Sequence, residues 1–390
     1  MVLGPLHRRY EGVRWLAQRA QVDRFSLPYF AGGSQSRRVL FITHAHRIAS
    51  SQIFPHFYYR RAIAHRYGVQ VGEINLESFE ALPASDVPQV DIVCLQTWFD
   101  IDRTRLQKLF DRVRELCKPT KVVYFDCFAP TDLRLAEAIG DQADVYVKKH
   151  VLRDRLAYGK PTRGHTNLME YYCQRYNIEC EETLFPIPKR FLERLHVGPS
   201  FATADYLMPC FCSGHMQSTR KTIDVHARVG REGTEWYEAM RNESLQALDG
   251  LREFNVARDF GVGQREFLRE LGASKICYSP FGYGEVAWRD YEAIAYGSLL
   301  LKPDMSHVET DPDVFIAGET YVPVKWDFSD VEEKIRYYLE NSAEREALTE
   351  RAFAKLHEYF RSDGFIEQHD PVYAPVSTGG TSTSVLADVS

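Results

Sequence analysis

The chain has 390 residues, of which 44% are apolar, 26% charged and 13% aromatic, with a formal net charge of −6 and a pI near 6.1. This composition excludes a disordered or collagen-like chain, and the length exceeds the ~250–300 residues that one core usually fills, so two domains are expected. The acidic balance offers no general attraction to a phosphate backbone, so no nucleic acid partner is expected; no apolar run reaches the roughly 18–20 residues that span a bilayer, and no signal-peptide core is expected at the start.

Residues 1–36 read as a helical prefix. Between 6 and 20, Leu6, Tyr10, Val13, Trp15, Leu16 and Ala20 interleave with Arg8, Arg9, Arg14 and Arg19 at helical spacing. Such a helix either packs on its own domain or rests peripherally on an anionic membrane surface. From residue 37, short apolar runs alternate with helical patterns. Strands are expected over 38–43, 69–76, 90–97, 121–126 and 143–148, with helices over 52–67, 103–116 and 133–139. Residues 150–220 are less regular, and Lys148-Lys149-His150 before them reads as a solvated strand end. A second alternation follows, with strands over 221–228, 254–259, 275–279, 298–302 and 319–324. Its helices are expected over 234–251, 264–271, 285–296, 328–341 and 343–360. Residues 371–390, rich in Pro, Ser, Thr and Gly, read as a disordered tail.

This order predicts an α/β fold: two Rossmann-like domains, each a parallel sheet covered on both faces, facing each other across a cleft. The expected boundaries are 37–205 and 206–345, followed by a C-terminal helix over 346–370 and the tail. Eight cysteines, at 94, 117, 127, 173, 180, 210, 212 and 277, are too sparse for a disulfide scaffold and read as free thiols in a reducing, cytoplasmic setting. Cys210-Phe-Cys212 with His215 is spaced too tightly for the common zinc motifs, so no metal site is expected there.

In open parallel sheets, ligands bind beyond the carboxyl ends of the strands. The loops after Thr43, Thr97, Asp126, Arg228, Asp259 and Ser279 should therefore face the cleft. The segment Gly282-Tyr283-Gly284-Glu285 reads as a glycine turn opening a helix, a pairing that suits a phosphate. Glu285, Arg289 and Glu292 fall at i, i+4 and i+7, on one helical face. A carboxylate on that face suits the paired hydroxyls of a ribose. An exposed Glu–Arg pair would explain the charges but not the glycine turn before them. Arg228 and Arg231 share a loop with Gly230 and Gly233 and suit phosphate oxygens; Asn255, Arg258 and Lys302 are weaker candidates. In the first half, His44, His46, Asp100 and Asp126 are candidates for a general base or for holding a second substrate. No Gly-x-Gly-x-x-Gly follows the first strand, and neither a Walker phosphate loop nor a Gly-x-Ser-x-Gly elbow occurs.

Residues 275–325, above all Gly282-Tyr-Gly-Glu-Val-Ala-Trp-Arg-Asp-Tyr-Glu-Ala-Ile-Ala-Tyr-Gly297, resemble the donor-binding half of GT-B-fold glycosyltransferases of the family 1/4-like type. The resemblance implies that Glu292 holds the ribose of a nucleotide sugar and that Glu285 lies near its sugar or phosphates. Six residues separate the two glutamates, where the commonest form of the family has seven. It further implies a donor domain over 206–345 and an acceptor domain over 37–205. The acceptor would be a glycan, a lipid-linked sugar of cell-envelope polysaccharide synthesis or a small molecule, with no metal or other cofactor. Two other readings share the same donor site: a nucleotide-sugar epimerase or hydrolase, and a non-catalytic nucleotide-sugar-binding module.

Overall fold

The computed structural model describes residues 36–258 and 261–375. The expected prefix helix over 6–20, its membrane contact, Asp259 and the tail beyond 375 lie outside these residues. No helix among the described residues is long and apolar enough to cross a membrane.

The first half runs through β1 (Arg37–Thr43), β2 (Val69–Asn75), β3 (Ile92–Gln96), β4 (Lys121–Asp126) and β5 (Val145–Lys148). It continues through β6 (His150–Leu152), the short antiparallel pair β7 (Thr162–Arg163) and β8 (Glu182–Thr183), and β9 (Leu195–Val197). The second half holds β10 (Ile223–His226), β11 (Val256–Ala257), β12 (Ser274–Tyr278), β13 (Leu299–Pro303), β14 (Val308–Thr310) and β15 (Val322–Val324). Two all-parallel sheets result, ordered β2-β1-β3-β4-β5-β9 and β11-β10-β12-β13-β15. Val39, Leu40, Phe41 and Ile42 are all buried, so this run needs no polar alternation: both faces of its sheet are covered. The strand order reverses between β1 and β3 and again between β10 and β12. Those switch points are where a doubly wound sheet opens a crevice.

The halves are also joined directly. β6 pairs antiparallel with β14, setting His150 opposite Thr310 and Leu152 opposite Val308. The helix Asn167–Tyr176 packs Leu168, Tyr172 and Cys173 into the core of the second half, and the Tyr172 hydroxyl donates to the Trp326 carbonyl at 3.0 Å. The helix Ser342–Arg361 lies in that same core. The chain then crosses back. Helices Gly364–Gln368 and Asp370–Tyr373 bury Phe365, Ile366, Val372 and Tyr373 against the first sheet. Residues 371–373, expected as part of the tail, are therefore helical, because apolar side chains at 372 and 373 have a surface to cover.

Other expectations change for local reasons. The helix expected over 52–67 is two helices, Arg47–Tyr58 and Arg60–Tyr67. The first starts early because His46 Nδ1 accepts from the Ile48 N–H at 3.1 Å, an N-cap. Cys173 and Cys180, expected as thiols, form a disulfide. Lys148 and Lys149 are not a solvated strand end: both are fully buried. Lys148 Nζ donates to Asp126 Oδ2 at 2.8 Å, while Lys149 Nζ donates to the Ile48 carbonyl at 3.0 Å and Ser51 Oγ at 3.1 Å. Burial pushes the Lys149 ammonium down to about 7.

That depression has a sign. The folded Lys149 sheds its proton near pH 7, whereas the unfolded side chain keeps it until about pH 10.4. Its contribution to stability is thus present at high pH and lost as pH falls through about 7. The urea midpoint is expected to rise between pH 7 and 9, at up to about 1.4 kcal/mol per pH unit from this proton, and Lys149→Met should flatten that slope. An unchanged slope in the variant would exclude the assignment.

Candidate functional site

The segment 279–287 links β12 to the helix Trp288–Ala295 at the switch point of the second sheet. A side-chain carbon on Gly284 would collide with the Ala129 carbonyl, in the loop after β4 of the other half. This glycine thus serves the close approach of two backbones across the cleft. Tyr283 closes the other side of the turn: its hydroxyl accepts from the Thr234 N–H at 2.9 Å and its ring stacks on Tyr237 at 4.5 Å.

The expected helical face is only partly formed. Asp290 Oδ2 accepts from the Ala287 N–H at 2.8 Å, so the helix begins at Trp288. Arg289 and Glu292 are on it; Glu285 precedes it in the loop. The same aspartate takes the Ser279 hydroxyl at 2.6 Å and lies 3.1 Å from Lys302 Nζ, all within a fully buried cluster. The positive end of this helix, expected to face a phosphate, is already met by Asp290.

Glu285 is fully buried. His150 Nε2 donates to its Oε2 at 3.2 Å and His307 Nε2 to its Oε1 at 3.3 Å. Burial alone would raise its pKa, but the hydrogen bonds from His150 and then His307 hold the carboxyl well below the usual carboxylate range. Glu292 is 6% exposed, and burial raises its pKa. The Tyr206 hydroxyl donates to its Oε1 at 2.7 Å. Arg47, just after β1, lies over the Tyr206 ring at 4.9 Å and the Trp288 ring at 5.2 Å. Both halves and the segment between them thus meet at Glu292.

Four further cations surround the glycine turn or the loop after β10. Arg228 forks onto Glu270, with Nη2 to Oε1 at 2.6 Å, and Arg289 donates to the Arg228 carbonyl. Arg231 is exposed on the loop after β10. Arg241 is the unexpected member. It sits in the helix Glu235–Gln246, is 6% exposed and has a terminal nitrogen beside Gly282. Among the described residues no carboxylate lies within ion-pair distance of it, and its Nε has no hydrogen-bond partner. Burial lowers its pKa to about 10. One signal for it exists in the sequence: Arg241 follows Met240 within an inward stripe of Trp236, Met240 and Ser244, where a cation is out of place.

The first-half candidates separate into two groups. His44 and His46 stand together at the first switch point, their rings 5.2 Å and 4.5 Å from that of Trp98. Burial lowers both imidazole pKa values, and His46 spends Nδ1 on its cap. Asp100 is exposed nearby. Asp126 is buried with both oxygens engaged: Oδ1 accepts from the Phe128 N–H at 2.9 Å, and Oδ2 from the Tyr146 hydroxyl at 2.6 Å and Lys148. It braces the loop that meets Gly284. Asn255 and Arg258 serve local contacts, with the Thr222 carbonyl and with Asp249. Among the described residues, no group of three or more His, Cys, Asp or Glu side chains is placed to hold a metal ion.

Gly284→Ala is expected to force the two halves apart at Ala129. The variant should lower the melting temperature by several degrees and enlarge the radius of gyration in small-angle scattering. A variant with unchanged melting and scattering would show that this contact is dispensable.

A family model described as Glycosyl transferase-like matches residues 218–368. No curated protein matches the chain in sequence. Among solved structures, an alpha-glucosyltransferase in complex with UDP-glucose and DNA containing an abasic site is similar, at 11% identity and a TM-score of 0.49, over 86% of this chain and 99% of that one. A glycosyltransferase from Rickettsia africae ESF-5 is similar at 9% identity and a TM-score of 0.49, over 87% and 98%. TarM is similar at 10% identity and a TM-score of 0.45, over 73% of this chain and 54% of that one. The alpha-glucosyltransferase structure holds DNA, so the expectation of no nucleic acid partner, made from net charge, is corrected: a chain-wide acidic balance is no ground for ruling one out. The family match falls on the sheet that carries the glycine turn and Glu292, where the residues themselves had pointed, so residues 218–368 form a glycosyl transferase-like region built on the second of two parallel sheets.

Proposed function

We propose that the chain transfers a sugar from a nucleotide-diphosphate donor, held by the 206–345 half, to an acceptor that enters from the 37–205 half. The observation that carries this reading is Arg241: a buried guanidinium beside Gly282, with no carboxylate in reach among the described residues. Burying a cation without a partner is costly, and an anionic ligand at the turn would offset that cost. In this reading the diphosphate lies between the loops after β10 and β12, met by Arg241 and Arg289, with Arg228 and Arg231 toward the rim. Glu292 holds the ribose hydroxyls in place of the Tyr206 hydroxyl. When the bond between the sugar carbon and the phosphate oxygen breaks, negative charge grows on the leaving diphosphate. Fixed guanidinium groups in a water-poor site stabilise that charge. The cations belong to the chain, so no divalent metal is required. Contact of the halves at Gly284 keeps water, a competing acceptor, from the reacting carbon.

Thermal shift against UDP, GDP, CMP, dTDP and ADP tests the donor site. One nucleoside diphosphate should raise the melting temperature, by about 2.7 kcal/mol of stabilisation at a hundredfold excess over Kd, and Glu292→Ala and Arg241→Met should each abolish the shift. Transfer should persist in EDTA. A shift that survives both substitutions, or no shift with any nucleotide, would refute the site. Sugar release without an acceptor product, across glycan, lipid-linked and DNA acceptors, would favour a hydrolase; binding without turnover would favour a binding module.

Tyr206→Phe gives a second test, because it frees the Glu292 carboxylate of a competing hydroxyl. Apparent nucleotide affinity should rise several-fold. A fall would mean that Tyr206 belongs to the bound state.

A further inference from the structure

Three imidazoles meet where the returning C-terminal helices cover the first sheet. His56 lies in the helix Arg47–Tyr58, His196 in β9, and His369 in the turn between the helices Gly364–Gln368 and Asp370–Tyr373. The His369 ring stands 5.3 Å from that of His56 and 5.8 Å from that of His196. We propose that this cluster is a proton-operated latch: protonating its imidazoles releases the two C-terminal helices from the first sheet. The latch is independent of any sugar-transfer chemistry.

The hydrogen bonds suit neutral rings. His369 Nδ1 donates to the Phe365 carbonyl at 2.9 Å; a carbonyl only accepts, so the neutral ring leaves Nε2 bare. His56 Nδ1 shares a hydrogen bond of 2.6 Å with the Tyr373 hydroxyl, and the Gln368 backbone meets the His196 ring. Among the described residues, Nε2 of all three rings is buried without a hydrogen-bond partner. A second proton on any ring would thus leave a buried N–H with no acceptor in place. Charged rings this close would also repel. Burial holds His56 well below the ordinary imidazole range and His369 at about 3.

A carboxyl from the second half works against them. Asp311, just after β14, is buried and lies 3.9 Å from His369 Nε2. Both its oxygens stand 2.8 Å from the Tyr359 hydroxyl of the helix Ser342–Arg361. Burial raises its pKa to about 7 against that hydrogen bond, with Glu309 adding to the rise. Elsewhere on the C-terminal helices, Lys121 of β4 donates to the Pro371 and Ala374 carbonyls, and Arg66 pairs with Glu367 at 3.4 Å. The Tyr67 hydroxyl donates to Asp370 at 3.0 Å, and Cys94 of β3 faces Tyr373.

The two kinds of group have opposite signs. Below about pH 6.5, released imidazoles bind protons that the docked ones refuse, so docking weakens as pH falls. Docked Asp311 keeps its proton up to about pH 7, and released Asp311 only up to about 3.9, so it strengthens docking over the same fall. Two fully buried imidazoles outweigh one carboxyl, by about tenfold in the docking equilibrium between about pH 7.5 and pH 5.

The test is hydrogen exchange followed by mass spectrometry on the full chain at about pH 7.5 and pH 5, each peptide corrected for its intrinsic rate. Exchange over residues 364–374 should be about tenfold faster at the lower pH, while β12 and β13 in the second half hold their rates. The double variant His56→Asn, His369→Asn should lose this acceleration: its amide nitrogens stand in for the two Nδ1 atoms but take up no proton. Asp311→Asn still accepts from Tyr359 and removes the opposing carboxyl, so it should enlarge the acceleration beyond that of the unmodified chain. This single variant decides alone should the double variant fail to fold. No acceleration in the unmodified chain, the same acceleration in the double variant, or a smaller one in Asp311→Asn would overturn the latch. An acceleration shared equally by β12 and β13 would overturn it too, since the whole chain would then be unfolding.

Discussion

A carboxylate taken out of water must find its partners in the protein, and Glu285 finds one in each half of the molecule. His150 belongs to β6, which follows β5 of the first sheet, and His307 precedes β14, which follows β13 of the second. Both imidazoles reach the same carboxyl group. Removing one partner from such a buried pair is costly. The pairing of β6 with β14 and the collision-free approach of Gly284 to Ala129 follow the same seam, so backbone and charge set one closed arrangement together.

Around this seam, charge is distributed unevenly. Lys148 has Asp126, Lys302 has Asp290 and Arg228 has Glu270. Arg241 has an aromatic ring at 4.8 Å and, among the described residues, no acid in ion-pair reach. Three balanced cations hold loops and strand ends in place. In the proposed reading the fourth meets the donor's diphosphate. That division separates the residues that build the crevice from those available to use it.

The alternation of apolar runs and helical patterns made both sheets legible, since parallel strands covered on two faces must be apolar throughout. Glu292 and the glycine turn were legible for a similar reason: a turn followed by a charged helical face is a local pattern. What escaped was set by distant partners. Nothing near residue 148 announces that Asp126 will draw Lys148 inward, and nothing near residue 285 announces His150 or His307. The helix start was misplaced because Asp290 caps Ala287, a bond that competes with an earlier start at Glu285. His46 read as a base candidate, yet its nearest employment is a cap two residues on. Periodicity reports burial; it does not report which buried polar groups will meet.

The return of the C-terminal helices to the first sheet has a consequence for biosynthesis. On the ribosome, β1 to β5 emerge before the whole of the second half, and Phe365, Ile366, Val372 and Tyr373, which complete the core on one face of that sheet, follow only after it. The leading half therefore waits with apolar surface uncovered while the whole trailing half is made. Vectorial folding, one domain finished before the next begins, is closed to this topology. The core of the first half is instead completed only when the helices Gly364–Gln368 and Asp370–Tyr373 dock on it.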